Sequence, residues 1–188
     1  MSKIVVWMQM SLDGKTRGPN GEFDWPIVKD ELNSYFVDEL RSAGMFLYGR
    51  KIYEMMAHFW PTADQDPDSS PNQIAYSKIW KPMPKLVFSK TLQDVQWSTT
   101  VLDGIDQRVR DYRDASDGDL YLFGGSQTVA GFARQGLVDE YQIFIHPVVL
   151  GGGAPLFPSP ADRQGFSLVD CRVFDKTVVG VRYSRKRT

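Results

Sequence analysis

Apolar residues along the chain follow two alternating patterns, and this alternation predicts strands separated by helices. Nearly continuous apolar runs, typical of strands buried on both faces, occupy 3–11, 45–49, 84–89 and 120–124, and a weaker run lies at 95–101. Helices are predicted at 28–42, 50–59, 105–115 and 126–135. The segments at 12–26 and 62–71 have the composition of loops, since polar residues, glycines and prolines dominate them.

The C-terminal part of the chain predicts strands only. A long strand is expected at 138–150, and two alternating segments flank Asp175 and Lys176 as the arms of a β-hairpin. Strands alternating with helices, followed by a hairpin, predict an α/β fold whose sheet has about eight strands, mostly parallel with an antiparallel edge. No internal repeat or linker interrupts this order, so residues 1–188 are expected to form a single domain.

Composition excludes several classes of protein. The net charge of −1 offers no general basic surface for nucleic acid. One cysteine and two histidines rule out a disulfide framework and offer too few ligands for a cysteine- or histidine-built metal centre, so no metal is expected. No apolar run approaches the roughly 20 residues that span a bilayer, and the N-terminus lacks a signal-peptide pattern. These features predict a soluble, cytoplasmic protein with no membrane partner.

Ligands of open α/β sheets bind at the carboxyl ends of the strands, so the junctions after the predicted strands are the first candidates for a site. After the strand at 45–49, Gly49 is followed by Arg50 and Lys51 at a predicted helix start. The helix dipole disfavours cations there, and a bound anion would offset that cost. The alternative is that both side chains simply extend into solvent.

Two further junctions have similar chemistry. Ser89 and Lys90 follow the strand at 84–89 and could hold a phosphate, although an ordinary turn with a solvated lysine explains them as well. Gly124 and Gly125 allow close approach of a ligand to the backbone, and Ser126 and Gln127 begin a helix whose N–H groups could bind an anion. A glycine pair alone is a weak signal, but three such junctions together predict a ligand with several phosphates.

Candidates for catalysis and substrate binding are fewer. Asp13 is either a turn-forming residue or a substrate contact, and Trp25 is placed to cover a flat ring. Gly152, within a run of three glycines, either brings backbone close to a substrate or belongs to a mobile turn. A carboxylate near the start of the helix at 28–42 could relay a proton to a heterocycle. His146 is expected to be a packed core residue rather than a base.

The motifs at the strand ends resemble those of a known family. The segments "MQMSLDGK", "YGRKIYE", "VFSKTL", "LYLFGGSQTV" and "LVDEYQIFIHPVVLGGGAPLF" occur in the order seen in the dihydrofolate-reductase-like superfamily. The resemblance covers nearly the whole chain and is greatest for the branch that includes the reductase domain of bacterial riboflavin biosynthesis. It implies a dihydrofolate-reductase-like α/β fold, NADPH as cofactor, and hydride transfer to a small nitrogen heterocycle or to the ribosyl carbon attached to it.

The resemblance also implies roles for individual residues. Contacts to the cofactor phosphates fall on Gly49, Arg50 and Lys51, and contacts to the adenosine 2′-phosphate on Ser89 and Lys90. The pyrophosphate would lie along Gly124, Gly125, Ser126 and Gln127. Dihydrofolate reductases place a proton-donating carboxylate on the helix after the first loop, and Glu31 falls near that position. The first loop, with Asp13 and Trp25, would act as a lid, and the family implies a homodimer.

Two departures from the family pattern limit what the resemblance implies. Ile52 stands where a threonine usually follows "GRK", which removes a hydroxyl donor to phosphate worth roughly 1.5–3 kcal/mol. The helix after the first loop carries four acids where a phosphorylated substrate needs positive charge. The expected activity is therefore that of an NADPH-dependent oxidoreductase resembling 5-amino-6-(5-phosphoribosylamino)uracil reductase or dihydrofolate reductase. The alternative is an NADPH- or pterin-binding protein with little turnover.

Overall fold

The computed structural model describes residues 2–158 and 164–186. Its centre is an eight-stranded sheet with the strand order β5-β4-β3-β6-β1-β7-β10-β9. The strands from β5 to β7 run parallel to one another, whereas β10 is antiparallel to both β7 and β9. The predicted α/β fold, with its antiparallel C-terminal edge, is therefore confirmed.

The elements have the following bounds. The strands of the large sheet are β1 (Ile4–Ser11), β3 (Met45–Gly49), β4 (Lys85–Phe88), β5 (Thr99–Leu102), β6 (Leu120–Leu122), β7 (Glu140–His146), β9 (Phe166–Phe174) and β10 (Val178–Arg185). A separate antiparallel ribbon joins β2 (Lys15–Arg17) to β8 (Ala154–Pro155). The helices are α1 (Asp30–Leu40), α2 (Arg50–Ala63), α3 (Pro71–Trp80), α4 (Gln107–Asp114) and α5 (Ser126–Arg134).

The sheet separates two hydrophobic cores, as the period of two along a strand requires. On β1, Ile4, Val6 and Met8 belong to the core that contains residues of α4 and α5. Val5 and Trp7 belong to the opposite core, which contains residues of α1, α2 and α3. Because β1 is covered on both faces, its first five residues, 4–8, are apolar without interruption, in agreement with the pattern that predicted the strand.

Three elements differ from the sequence prediction. Helix α3 was not predicted, although Ser70 and Gln73 form a reciprocal capping box at its start and Pro71 occupies the first helical position. The segment 62–71, predicted as a loop, is shared between the end of α2, an intervening loop and this helix start. The strand predicted at 138–150 ends at His146, and the chain continues as a loop.

The β-hairpin at 166–185 turns where the sequence predicts it. Asp175 and Lys176 occupy the left-handed backbone region with φ of 50° and 53°, as the two central residues of a tight hairpin turn require. The Asp175 carboxylate accepts hydrogen bonds from the backbone N–H groups of Glu31 and Leu32, both at 3.3 Å. The hairpin turn therefore caps the N-terminus of α1 from outside that helix.

Within the described ranges, no helix combines the length and the apolar character that crossing a membrane requires.

Candidate functional site

A cleft of about 390 Å³ lies at the carboxyl ends of the central strands. Two of the three predicted junctions meet in it: Gly49, Arg50 and Lys51 on one side, and Gly125, Ser126 and Gln127 on the other. Thr16, Arg17, Ile52, Thr128 and Ala154 complete its lining. We call this the cationic cleft, because its lining contains three cationic side chains and no carboxylate.

Both helices that begin at the cationic cleft lack a capping side chain. The N-cap residues are Gly49 for α2 and Gly125 for α5, and neither offers an oxygen to the free N–H groups of the first turn. By contrast, Ser70 caps α3 and Asp106 caps α4 with their own side chains. The first-turn N–H groups of α2 and α5 are therefore available to an anion in the cleft.

The glycines keep the two strand ends close together. The N–H of Gly49 donates a 2.7 Å hydrogen bond to the carbonyl oxygen of Gly124. A Cβ atom on Gly49 would come within 2.5 Å of Oγ1 of Thr128, and one on Gly124 would come within 2.8 Å of the Met8 sulfur. Gly124 has a positive φ of 79°, and its peptide bond to Gly125 is cis. A Cβ on Gly125 would meet no atom within 4 Å, so this residue faces open space in the cleft.

The charges of the cationic cleft are only partly neutralised. Arg50 forms an ion pair with Glu54 at 3.2 Å, and both side chains are exposed. Arg17 and Lys51 form no ion pair with any residue of the described chain. Two unpaired cations and two uncapped helix starts form a donor set that suits a polyphosphate.

Ser89 and Lys90 lie at the same edge of the sheet but do not line the cationic cleft. Phe88 pairs with Gly49 across β4 and β3, which places Ser89 just beyond that level. The Ser89 hydroxyl accepts hydrogen bonds from the N–H groups of Thr91 and Leu92, at 3.1 and 3.0 Å. The Lys90 side chain is exposed beside this turn. Both residues therefore have an ordinary turn conformation, with the lysine free to reach an extended ligand.

A second cavity, of about 300 Å³, opens next to the cationic cleft and is mainly apolar. Its walls come from β1, the first loop, α1, α2, α3 and the segment after β6, and include Trp7, Phe36, Met55, Trp60 and Phe123. Its polar lining residues are Gln9, Thr16, Arg17, Asn33 and Gln73. We call this the apolar cavity; no carboxylate and no histidine of the described chain lines it.

The cationic cleft and the apolar cavity are continuous. Thr16, Arg17, Ile52 and Gly125 line both spaces. Ile52, the residue that departs from the family pattern, therefore lies at their junction rather than in the phosphate-binding part alone. An extended ligand with an anionic end and a flat apolar end would fill the two spaces together.

Trp25, the first-loop residue predicted to cover a flat ring, lies beside the apolar cavity, although neighbouring residues of the loop line it. Phe23, Pro26 and Val28 line the cavity, whereas the ring of Trp25 packs edge-on against His146 with a centroid separation of 5.6 Å. The indole N–H of Trp25 is buried and has no hydrogen-bond partner in the described chain. Residues of the first loop therefore form part of the cavity wall, with Phe23 as an exposed aromatic residue.

The carboxylate of Asp13 is hydrogen-bonded to other parts of the protein and lines neither space. Its carboxylate accepts hydrogen bonds from the Ser11 hydroxyl at 2.7 Å and from the N–H groups of Leu150 and Gly151. These hydrogen bonds, that of Ser11 first, lower the pKa of Asp13 to about 2. The residue is thus ionised at neutral pH and joins the first loop to the glycine-rich loop. Gly152 lies in that second loop, near the ring of Pro19, and lines neither space.

Glu31 also lies away from both spaces. Its carboxylate accepts a 2.6 Å hydrogen bond from the N–H of Asp175, which closes the contact between α1 and the hairpin turn. The α1 residues that line the apolar cavity are Asn33, Phe36 and Leu40. The structure therefore does not bring Glu31 together with the other predicted site residues.

His146 is fully buried and forms two hydrogen bonds. Its Nδ1 accepts from the N–H of Ile27 at 3.0 Å, and its Nε2 lies 2.6 Å from Oε1 of Gln9. Burial lowers the pKa of His146 to about 4, so the ring is neutral at physiological pH. The expectation that His146 is packed in the core is confirmed, and the residue also connects the first loop to the wall of the apolar cavity.

Sequence reasoning missed Thr16, Arg17, Gln9 and Asn33 as lining residues. Thr16 and Arg17 belong to the short ribbon formed with β8, whose partner lies far along the chain. Gln9 did carry a signal, because it is a lone amide within an otherwise apolar opening strand. In the described residues, no cluster of three or more histidine, cysteine, aspartate or glutamate side chains could hold a metal ion.

The sheet order and the site at its strand ends define a protein with a dihydrofolate-reductase-like fold. Dihydrofolate reductase of Enterococcus faecalis, solved in complex with NADP(H), has a TM-score of 0.63 and 15% identity over 98% of this chain and 97% of that one. A putative riboflavin biosynthesis protein of Shewanella sp. PV-4 has a TM-score of 0.72 and 24% identity, covering 100% of both chains.

Sequence comparison gives the particular family. Residues 2–180 match the RibD C-terminal domain family, and the chain belongs to it. The uncharacterized protein YyaP of Bacillus subtilis (strain 168) is 33% identical over 185 residues, which is 96% of this chain and 94% of the relative. The family assignment confirms the resemblance inferred from the strand-end motifs.

Proposed function

We propose that the chain is an NADPH-dependent oxidoreductase that reduces a small nitrogen heterocycle, with residues 1–188 acting as one reductase domain. One observation carries the proposal: the cationic cleft and the apolar cavity share four lining residues, so a dinucleotide in the first would deliver its nicotinamide to the second. The fold shared with an NADP(H)-bound dihydrofolate reductase supports this arrangement.

The proposed cofactor fits the residues that are present. Its pyrophosphate would lie against the uncapped start of α5, at Ser126 and Gln127, with Arg17, Arg50 and Lys51 supplying positive charge. Gly125 leaves the open space that a phosphate needs to approach the backbone. Ser89 and Lys90, at the same sheet edge, are the proposed contacts of the 2′-phosphate. When bound, NADPH would supply the hydride.

The chain's own contribution would be binding, orientation and exclusion of water. The aromatic walls of the apolar cavity would hold a flat ring, and the first loop would cover it. Neither Asp13 nor Glu31, the two predicted catalytic carboxylates, is among the residues that line the cavity. The proposal therefore assigns no side-chain proton donor.

Two measurements test the proposal. The first is titration of NADPH and NADH against the wild type and Lys90→Ala, with Lys78→Ala, an exposed lysine on α3, as the matched control. We expect NADPH to bind more tightly than NADH, and the preference to shrink only in Lys90→Ala. Equal affinities in the wild type would contradict the 2′-phosphate assignment.

The second measurement is NADPH oxidation with a panel of pteridines, quinazolines and pyrimidine ribitylamines. Turnover of any member supports the oxidoreductase. Tight NADPH binding without oxidation of any member would favour a second candidate, an NADPH- or pterin-binding protein with little turnover. That candidate is motivated by Ile52 at the junction and by the absence of an acidic lining residue within the described chain.

We also propose that the protein forms a homodimer through β9. This strand is one of the two edges of the sheet, and its residues Leu168, Val169 and Val173 are 58%, 53% and 64% exposed. An exposed apolar edge strand is a surface that proteins normally cover. A second copy of the chain is the proposed cover.

A further inference from the structure

The hydrogen bonds of His146 determine its tautomer. The backbone N–H of Ile27 can only donate, so the Nδ1 atom that it contacts must carry a lone pair. A neutral imidazole with an unprotonated Nδ1 carries its proton on Nε2. The ring is buried and neutral, so the 2.6 Å contact from Nε2 to Oε1 of Gln9 is a hydrogen bond in which His146 donates.

This tautomer in turn orients the amide of Gln9. Because His146 supplies a proton, the Gln9 atom facing it must be the carbonyl oxygen. The alternative orientation, with the NH₂ group toward the ring, would place two donors opposite each other. Gln9 lines the apolar cavity, and its Nε2 atom has no acceptor within the described chain. Oε1 is therefore engaged by His146, whereas the Nε2 donors of the amide are free for a ligand in the cavity.

We propose that Gln9 determines substrate specificity by donating a hydrogen bond to an acceptor atom on a flat ring, either a carbonyl oxygen or an unprotonated ring nitrogen. His146 is a positioning residue, which excludes the opposite orientation of the amide. A ring that places an N–H group at this point would meet another donor and be rejected. This inference rests on the proposed function, since it takes the apolar cavity to be the substrate site.

The apolar surroundings of Gln9 strengthen its discrimination between rings that offer an acceptor atom and rings that offer an N–H donor. Trp7 and Phe123 line the same cavity, and a donor facing a donor in such an apolar space would leave both groups unpaired. Leaving a buried polar group without a partner costs more free energy than a hydrogen bond gains on average. The selection should therefore act mainly by excluding donor-bearing rings.

The first test measures binding of three probes of similar shape by calorimetry, without cofactor. The probes are naphthalene, isoquinoline with one acceptor nitrogen, and indole with one donor N–H. We expect the wild type to bind isoquinoline roughly three- to tenfold more tightly than indole, with naphthalene between them. Gln9→Leu should bring the three affinities together. Gln9→Glu, at about pH 8, should reverse the order of isoquinoline and indole.

The second test separates positioning by His146 from a general structural role. His146→Leu removes the proton that holds the Gln9 amide, so the amide can present either end and the isoquinoline-to-indole ratio should fall toward one. His146→Gln can again donate to Oε1 of Gln9 and should restore the ratio. A loss of stability alone would change all affinities together and leave the ratio unchanged.

Failure of this inference is distinguishable from failure of the proposed function. Equal binding of isoquinoline and indole by the wild type, or a ratio that Gln9→Leu does not alter, would overturn the role of Gln9 even if NADPH is oxidised. Conversely, the expected ratios together with no affinity for NADPH would support Gln9 selectivity while contradicting the reductase. Absence of binding by all three probes would overturn the inference, because it requires the apolar cavity to accept flat rings.

Discussion

The N–H of Gly49 donates a 2.7 Å hydrogen bond to the carbonyl oxygen of Gly124, joining the ends of two neighbouring strands at the mouth of the cationic cleft. Gly49 is the N-cap residue of α2, and Gly124 comes directly before Gly125, the N-cap residue of α5. The close approach of the two backbones therefore depends on the small size of Gly49.

Gly49→Ala should destabilise the fold and weaken anion binding. Its φ of −78° suits alanine, but the new methyl would come within 2.5 Å of Oγ1 of Thr128 and 3.3 Å of the Gly124 oxygen. Overpacking of this kind costs about 1–3 kcal/mol in the free energy of unfolding, measurable by denaturant titration. Gly104→Ala is the control, because a Cβ there meets nothing within 4 Å. Equal effects of both changes would contradict the packing argument.

Gly125→Ala should separate binding from folding. A Cβ at this position meets no protein atom within 4 Å and projects into the space shared by the cleft and the cavity. We expect an unchanged melting temperature and an affinity for NADPH reduced roughly tenfold, as one steric contact with a phosphate-bearing ligand would produce. Unchanged NADPH affinity would place the cofactor elsewhere.

Stability should fall on acidification through the titration of His146. Its pKa is lowered by burial from 6.5 to about 4 in the folded protein. Between these values the unfolded chain binds the extra proton, so the free energy of unfolding decreases as pH falls from about 6.5 to about 4, by about 2–3 kcal/mol. The measurement is the pH dependence of unfolding, compared with that of His146→Gln. Parallel curves for the two proteins would contradict the assignment.

Lys85→Met should be strongly destabilising although Lys85 lies outside the candidate site. Its buried ammonium donates to the carbonyl oxygens of Trp80, Met83 and Trp97 at 2.6, 2.7 and 2.9 Å. Methionine fills a similar volume but leaves these carbonyls without their donor, at a cost of about 2–4 kcal/mol. Lys78→Met, on the exposed face of α3, should change stability by less than about 0.5 kcal/mol. Chemical denaturation of both variants tests the difference.

Val173→Lys should produce a monomer if β9 is the proposed dimer interface. The side chain is 64% exposed in the single chain, so a lysine is compatible with the fold but would bury a charge between two copies. Light scattering coupled to size exclusion measures the mass of the wild type and the variant. A monomeric wild type, or a variant that remains dimeric, would contradict the proposed interface.

The parts of the site that follow local rules could be predicted from the sequence. Gly49 and Gly125 lie where an apolar run meets a helix, and both the strand and the helix period are visible within a few residues. The expected strand ends then converge because parallel strands share a carboxyl edge. The same reasoning failed for α3, since its polar first turn continues a segment whose composition is that of a loop.

The remaining parts depend on contacts between distant segments. Arg17 reaches the cleft because β2 pairs with β8, a strand of two residues that no periodic pattern announces. The resemblance to dihydrofolate reductases placed Glu31 near the position of a proton-donating carboxylate, but that carboxylate accepts a hydrogen bond from the N–H of Asp175 in the hairpin turn. The sequence left two roles for Asp13, turn formation and substrate contact. Its hydrogen bonds to the glycine-rich loop favour turn formation.

The connection between the first loop and the glycine-rich loop has a consequence for protein engineering. Asp13 binds the N–H groups of Leu150 and Gly151, and the N–H of Leu156 donates to the carbonyl oxygen of Gly14. Three hydrogen bonds therefore join the two segments. Chimeras that import a new first loop from a relative should carry the matching 147–156 segment with it, because either segment transplanted alone would lose the hydrogen bonds that join the two.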